Sequence, residues 1–241
     1  MHVDLKDCTQ LGYFYGSSSP HNHGKDLQSI TAPLSDTVDY SYATIESFKK
    51  IANLHGKFWS CNFQNELVQG LEFLRGSLWM KDNTSGQMLF QASQEFAINA
   101  WKNVCAKIAD GKSQLRFDQR LVDVINASFS KVSWDDFKAS FEEIPYTVIH
   151  GDFHPANVMI HNETRELFIL DWEMVGIGRG GQDLGQFTIS HLAPEDRRQV
   201  EDKALDAYYD SLMIAAQGRI NVEKYTKEFL KNEYVIGGFS R

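Results

Sequence analysis

One segment of the 241-residue chain, residues 146–173, differs from its surroundings and constrains the fold more than any other. Elsewhere apolar residues recur at steps of three and four, which predicts amphipathic helices. Within the segment, short runs rich in β-branched and aromatic residues predict strands at 146–149, 158–160 and 167–170. The sequence therefore predicts an α+β protein that is mostly helical, with a small β-hairpin between its helices.

Six stretches have helical periodicity, over roughly 39–59, 96–108, 121–129, 133–141, 194–215 and onward from about 221. Thr37 or Asp39 is placed to cap the first helix, because their side-chain oxygens accept a free backbone N–H. Gly111 is placed to close the second helix. Ser133 with Asp136 resembles a capping box at the start of the fourth helix.

Composition excludes several functional classes. The chain has 24 Lys and Arg against 32 Asp and Glu, a net charge of −8, which disfavours nucleic acid as a partner. No apolar run approaches the roughly eighteen residues of a membrane span, and the first residues do not have the pattern of a signal peptide. Three cysteines without C-x-x-C spacing fit a reducing compartment, so we expect a cytoplasmic protein without a membrane partner.

The predicted hairpin brings two oxygen-bearing side chains together. Asn157 directly precedes the outgoing strand, and Asp171 directly follows the returning one. Because an antiparallel hairpin brings its two ends together, these side chains are expected about 5 Å apart. Amide and carboxylate oxygens at that distance can share Mg²⁺. The sequence therefore predicts a magnesium site at this end of the hairpin.

A second carboxylate, Asp152, lies on the loop that leads into the hairpin. The loop reads HGDFHPAN from His150 to Asn157, which matches the pattern H-x-D-x-x-x-x-N. Phosphoryl transfer needs this combination: one carboxylate to orient the attacking hydroxyl, and an Asn and a second Asp to hold metal ions at the phosphates. The same pattern, followed by an Asp at a strand end, marks the catalytic loop of kinases.

The run HGDFHPANVM from His150 to Met159 resembles the catalytic loop of the aminoglycoside phosphotransferase/choline kinase superfamily. The stretches 169–173 and 178–184 are similar to that superfamily's metal-binding strand end and the segment after it. The helix segment IANLHGKFW at 51–59 resembles the ecdysteroid-kinase-like branch. This resemblance implies a protein-kinase-like fold, ATP and Mg²⁺ as cofactors, and phosphate transfer to a hydroxyl of a small molecule.

The resemblance also implies roles for individual residues. Asp152 corresponds to the catalytic base, and Asn157 and Asp171 correspond to the metal ligands. His150 is expected to orient the loop through hydrogen bonds, and Asp183 to brace it, the alternative for Asp183 being a plain surface carboxylate.

Three further residues have less specific predictions. Glu173 faces substrate or a second metal, unless it is a solvated strand end. His154 is expected to be a packed loop residue, and His55 a hydrogen-bonded core histidine.

Compared with a complete kinase of this type, the sequence has no segment resembling the N-terminal β lobe. Gly176-Ile177-Gly178 lies downstream of Asp171, in the wrong place for the glycine-rich loop over the phosphates. We therefore expect residues 1–38 to be a hinge remnant and a mobile loop, and 39–241 to be the C-terminal lobe. Phosphate transfer by this chain is expected to be impaired, and the exposed lobe-docking face to favour a dimer.

Two alternative functions stay open. The first is a catalytically inactive, kinase-like module for binding or regulation. The second is a metallohydrolase that uses His150, Asp152 and His154 as metal ligands.

Overall fold

Helices dominate the structure, a computed structural model that describes residues 8–10, 39–60, 73–76, 83–131, 133–143, 146–161 and 163–239. The helices in these ranges are α1 (Tyr40–Lys57), α2 (Asn83–Ala109), α3 (Gln119–Lys131), α4 (Trp134–Glu143), α5 (Gly180–His191), α6 (Pro194–Ala216) and α7 (Lys227–Phe239). None of the helices in the described ranges is both long and apolar enough to cross a membrane.

Five short strands form two small antiparallel sheets in the described residues. The strands are β1 (Cys8–Gln10), β2 (Thr147–Ile149), β3 (Val158–His161), β4 (Leu167–Ile169) and β5 (Gly176–Gly178). One sheet has the order β1-β3-β4, and in the other β2 pairs with β5. Single turns of 3₁₀ helix at Pro155–Asn157 and Trp172–Met174 border the hairpin formed by β3 and β4.

The chain divides into two compact units. The first contains the residues up to 61 and from 146 onward, and the second contains 62–145. In the second unit, α2 packs against α4, and Phe90 contacts Trp134 with ring centroids 5.7 Å apart. The boundaries predicted for a hinge segment and a single lobe stay a prediction, and residues 11–38 lie outside the described part of the chain.

The core of the first unit lies between helices and the hairpin. Helix α1 packs along α6, and α5 packs along α7. Phe48 of α1, Phe187 of α5 and Tyr208 of α6 are completely buried, and the Phe48 ring contacts both of the others edge to face. The loop residue Phe153 joins this cluster, with its ring centroid 4.9 Å from that of Phe187. The hairpin and its loop are therefore anchored on the helical core.

Most of the predicted helices are confirmed. Asp39 caps α1 by accepting the N–H of Ser41, Ser133 accepts the N–H of Asp136, and Gly111 follows α2 with φ of +69°. The helix expected from about residue 221 begins later, at Lys227, because 221–226 form turns in which the N–H groups of Lys224 and Tyr225 bond to the Asn221 carbonyl. Strands β1 and β5 and helix α5 were not predicted.

Candidate active site

The loop between β2 and β3 carries His150, Asp152 and Asn157, and a glycine shapes its first turn. Gly151 has φ of +82°, a backbone conformation that residues with a Cβ rarely adopt. A Cβ at this position would also collide with the carbonyl oxygen of Met174. Glycine is therefore required here by backbone conformation and by space.

His150 joins the loop to the returning strand of the hairpin. Its Nδ1 accepts the N–H of Asp152 at 3.2 Å, so the proton must lie on Nε2, which donates to the carbonyl of Leu170 at 2.8 Å. The ring is completely buried. These two bonds fix a neutral imidazole in one tautomer. They also connect the backbone at Asp152 to the residue just before Asp171, in keeping with the orienting role expected for His150.

Asp183, on α5, holds the start of the same loop. Its two carboxylate oxygens accept the backbone N–H groups of His150, at 2.7 Å, and Gly151, at 3.0 Å. Oδ2 also lies 3.1 Å from Nε2 of His55, whose Nδ1 lies 2.8 Å from the hydroxyl of Tyr208. Burial raises the pKa of Tyr208 well above its usual value, so this hydroxyl keeps its proton. His55 is thus a hydrogen-bonded core histidine, and it links Asp183 to α6.

The hairpin has the predicted pairing. Val158 lies opposite Ile169, and the N–H of Leu170 donates to the carbonyl of Asn157 at 2.8 Å. Asn157 is largely buried, and its Nδ2 donates to the backbone carbonyl of Asp152 at 3.0 Å. Because Nδ2 is used in this way, the carbonyl oxygen Oδ1 is the atom of Asn157 that remains for a ligand.

Asp171 follows β4 in a left-handed backbone conformation, with φ of 61° and ψ of 66°. Such a conformation is uncommon outside glycine, although Asp and Asn tolerate it best. The Asp171 side chain is exposed and forms no hydrogen bond or ion pair with the described residues. Glu173, two residues later, is also exposed. Strained residues of this kind cluster at functional sites.

Three donors surround the half-buried carboxylate of Asp152. Gln186 Nε2 donates to Oδ1 at 2.6 Å. His154 Nε2 lies 3.4 Å from Oδ2, and Asn157 Nδ2 lies 3.5 Å from it. About a third of the Asp152 side chain, 34%, stays exposed. The carboxylate is therefore held from one side and open to solvent on another.

Sequence reasoning missed Gln186. A signal was present, because Gln186 comes three residues after Asp183, and residues so spaced share one face of a helix. This spacing has meaning only within a helix, and the sequence pattern does not predict a helix at α5. Gly180, Gly181 and Gly185 lower its helical propensity.

A family model described as "Uncharacterized oxidoreductase dhs-27", DUF1679, matches residues 85–237, which is more than half of the chain. The chain belongs to this family. The description of that model names no kinase, so the resemblance to the C-terminal part of the aminoglycoside phosphotransferase/choline kinase superfamily stays a prediction. The described residues are mostly helical with small antiparallel sheets, which confirms the predicted α+β class.

The other comparisons add less. No curated protein matches this DUF1679 chain. A solved structure titled as an aminoglycoside-3'-phosphotransferase of type VIII aligns with it at 18% identity and a TM-score of 0.35. The alignment covers 84% of this chain and 64% of that one, so the chain spans less than two thirds of that protein.

The word oxidoreductase in the DUF1679 description raises the question of a dinucleotide site. Gly176 and Gly178, which lie in the wrong place for the glycine-rich loop of a kinase, have with Gly181 the spacing G-x-G-x-x-G, and the three residues lie in β5 and the first turn of α5. In a dinucleotide fold this motif joins a parallel strand to a helix whose N-terminus binds phosphate. Here β5 pairs antiparallel with β2, so the strand topology of that fold is not present around the motif.

The start of α5 is also occupied by another side chain. The buried carboxyl group of Glu233, from α7, lies beside Gly181 and accepts the hydroxyl proton of Tyr225 at 2.6 Å. Burial raises the pKa of Glu233 above its usual value. A phosphate group would have to displace this carboxyl group. The glycine motif of the DUF1679 chain therefore serves helix packing and does not support dinucleotide binding.

The hydrolase alternative also meets an obstacle. Both ring nitrogens of His150 are used by backbone groups, so no lone pair remains for a metal ion. Among the described residues, no group of three His, Cys, Asp or Glu side chains is arranged to hold a metal. The geometry thus disfavours a metal centre built on His150, Asp152 and His154.

Proposed function

We propose that this DUF1679 chain carries the catalytic half of an ATP- and Mg²⁺-dependent phosphotransferase that acts on a hydroxyl group of a small molecule. The observation that carries the proposal is the link from Asp152 through His150 to Leu170, the residue before Asp171. One tautomer of a buried imidazole thereby joins the backbone of Asp152, whose carboxylate is partly exposed, to the end of the hairpin that lies between Asn157 and Asp171 in the chain. Phosphoryl transfer requires that placement of a base beside two metal ligands.

The donor atoms at this end of the hairpin suit a magnesium ion. Asn157 keeps its amide oxygen unused, and Asp171 presents a carboxylate that no described residue pairs with. Mg²⁺ is commonly held by one or two side-chain oxygens, with substrate phosphates and water as the other ligands. When bound, the ion would neutralise phosphate charge. Glu173 is a further oxygen donor nearby in the chain, for the substrate or a second ion.

Asp152 supplies the acid–base chemistry in this proposal. Its carboxylate orients the acceptor hydroxyl and takes up its proton as the hydroxyl oxygen bonds to the γ-phosphorus. The bond from that phosphorus to the bridging oxygen breaks, and the nucleoside diphosphate leaves with the bonding electrons. The contacts of Gln186, His154 and Asn157 with the Asp152 carboxylate hold it in place.

Other expectations remain parts of the proposal. A cytoplasmic location is one of them, and Cys105, a free thiol, is compatible with it. A dimer formed through a lobe-docking face is another. A catalytically inactive binding module is the competing reading, and it would bind Mg·ATP without transferring phosphate.

The test combines binding with turnover. Melting temperature is measured with ATP alone and with Mg·ATP, since a ligand that binds the folded state raises it. Transfer of ³²P from ATP to a panel of hydroxyl-bearing small molecules, with water included as an acceptor, is then measured. Asp171→Asn should abolish the magnesium-dependent part of the shift. Asp152→Asn should leave the melting-temperature shift unchanged and lower the rate of phosphate transfer about 100-fold.

Glu163 offers a matched control, because it is an exposed carboxylate in the turn at the other end of the same hairpin. Glu163→Gln should change neither quantity. A magnesium-dependent shift without transfer to any acceptor would favour the binding module. Transfer that is unchanged in Asp152→Asn would refute the proposed base.

A further inference from the structure

Among the described residues, the Gln186 side chain makes one polar contact, and that contact is with Asp152. Nε2 donates to Oδ1 at 2.6 Å, whereas Oε1 is buried and bonds to no described atom. The opposite orientation of the amide would place its oxygen against a carboxylate oxygen, so the contact itself determines how the amide points. The polar function of Gln186 is thus confined to Asp152.

The helix that carries Gln186 is rigidly attached to the catalytic loop. Asp183, one turn earlier on α5, binds two backbone N–H groups of the loop, and Phe187 packs its ring on Phe153. Gln186 and Phe187 follow Asp183 by three and four residues, which places all three side chains on one side of α5. Side chains on a packed helix hold their partners more precisely than side chains on loops do.

The two oxygens of the Asp152 carboxylate differ in their surroundings. Oδ1 accepts the short bond from Gln186, and hydrogen bonds to an ionised group at such lengths are strong. Oδ2 has only the longer contacts with His154 at 3.4 Å and Asn157 at 3.5 Å. Oδ2 is therefore the oxygen with the greater capacity left for a substrate.

We propose that Gln186 is a positioning residue that holds Oδ1 of Asp152 and directs Oδ2 toward the acceptor hydroxyl. This inference rests on the proposed phosphotransferase function. Without the Gln186 donor, the carboxylate is free to rotate about its Cβ–Cγ bond, and Oδ2 no longer has one fixed direction. A misplaced catalytic group slows the chemical step and leaves the binding of nucleotide unchanged.

Two substitutions test the role. Gln186→Met and Gln186→Glu both keep the length of the side chain. Both remove the N–H donor to Asp152. Both should lower the rate of transfer about tenfold, with the KM for ATP and the melting shift with Mg·ATP unchanged. Gln199→Met is the matched control, because Gln199 is an exposed glutamine on α6 that bonds to Tyr40. It should leave the rate unchanged.

A double substitution separates positioning from general support of the fold. If Gln186 acts through Asp152, Gln186→Met should not lower the rate of phosphate transfer any further in a protein that already carries Asp152→Asn. A residue that merely stabilises the fold would lower the rate in both backgrounds. Because the Met variant loses polarity in a packed region, its melting temperature is measured first, and the isosteric Glu variant serves if the Met variant does not fold.

A readout that needs no turnover examines the contact itself. The side-chain amide resonances of Gln186, assigned by their absence in Gln186→Met, should show slowed hydrogen exchange that is lost in Asp152→Ala. Amide resonances unaffected by Asp152→Ala would overturn this inference, as would full activity in the Met and Glu variants. A wild-type chain that shows no melting shift with Mg·ATP and transfers no phosphate would instead overturn the proposed function, and the positioning role would fall with it.

Discussion

Nε2 of His55 lies 3.1 Å from Oδ2 of Asp183, and both side chains are completely excluded from solvent. The same Oδ2 accepts the backbone N–H of His150. Helix α1 is thus connected to the loop at 150–157, about a hundred residues later in the chain, through one carboxylate. Buried ionisable groups are expensive unless every partner is present, so this connection should be sensitive to the loss of any member.

Replacing Asp183 should destabilise the protein strongly. Asp183→Ala leaves two backbone N–H groups and His55 without their acceptor in a buried region. We expect the free energy of unfolding to fall by about 3 kcal/mol. Urea denaturation measures it, and Glu163→Ala, at an exposed carboxylate, should stay within about 0.5 kcal/mol of wild type. Equal effects of the two substitutions would contradict the bracing role.

Removing one hydroxyl group should have a smaller effect. Tyr208→Phe deletes the partner of His55 Nδ1 and keeps the buried ring. The expected loss in the free energy of unfolding is about 1–2 kcal/mol, since a buried polar atom is left unpaired. Tyr42→Phe is the control, because the Tyr42 hydroxyl has no partner in the described part of the chain. If Tyr42→Phe lowered the free energy of unfolding as much as Tyr208→Phe, the result would argue against a stabilising bond between the Tyr208 hydroxyl and His55.

The buried carboxyl group of Glu233 should make stability depend on pH. Burial raises its pKa in the folded protein above the ordinary value of 4.5. A raised pKa means that the stabilising contribution of this group is fully present below the unfolded value and is lost as pH rises through the folded one. The free energy of unfolding of wild type should therefore decrease relative to that of Glu233→Gln as pH rises above about 4.5.

Urea denaturation of both proteins between about pH 4 and 8 measures this difference. Other titrating groups cancel in the comparison because the two proteins share them. A difference that stays constant with pH, or that changes in the opposite direction, would show that the Glu233 carboxyl group is not held in its protonated form by burial.

Two glycines separate backbone strain from steric collision. Gly151 and Gly111 both have positive φ, but a Cβ at Gly151 would collide with the Met174 carbonyl, whereas one at Gly111 would meet nothing within 4 Å. Gly111→Ala should cost about 1 kcal/mol, from strain alone. Gly151→Ala should cost at least about 1 kcal/mol more and lower phosphate transfer, since it displaces the loop. The free energy of unfolding is measured by thermal or urea denaturation. Equal losses for the two substitutions would show that the loop accommodates a Cβ at Gly151 without a steric penalty.

The local chemistry of the hairpin was readable from the chain. Alternation of β-branched runs with a polar turn defined β3 and β4, and the antiparallel return then required Asn157 and Asp171 to lie at one end. The caps at Asp39, Ser133 and Gly111 followed from side-chain and backbone preferences within a few residues. Such features depend on neighbours along the chain, and the sequence shows those neighbours directly.

The sequence by itself determined the helical periodicity, the hairpin, and the identity of the carboxylates and amide that it brings together. Only the tertiary structure decided that the glycine-rich stretch at 176–185 becomes β5 and α5, because the space that Gly181 and Gly185 leave is filled by α7, at Glu233 and Gly238. It also decided that Gln186 contacts Asp152, 34 residues earlier. Contacts between distant residues depend on how helices pack, and periodicity within one segment carries no information about its partner.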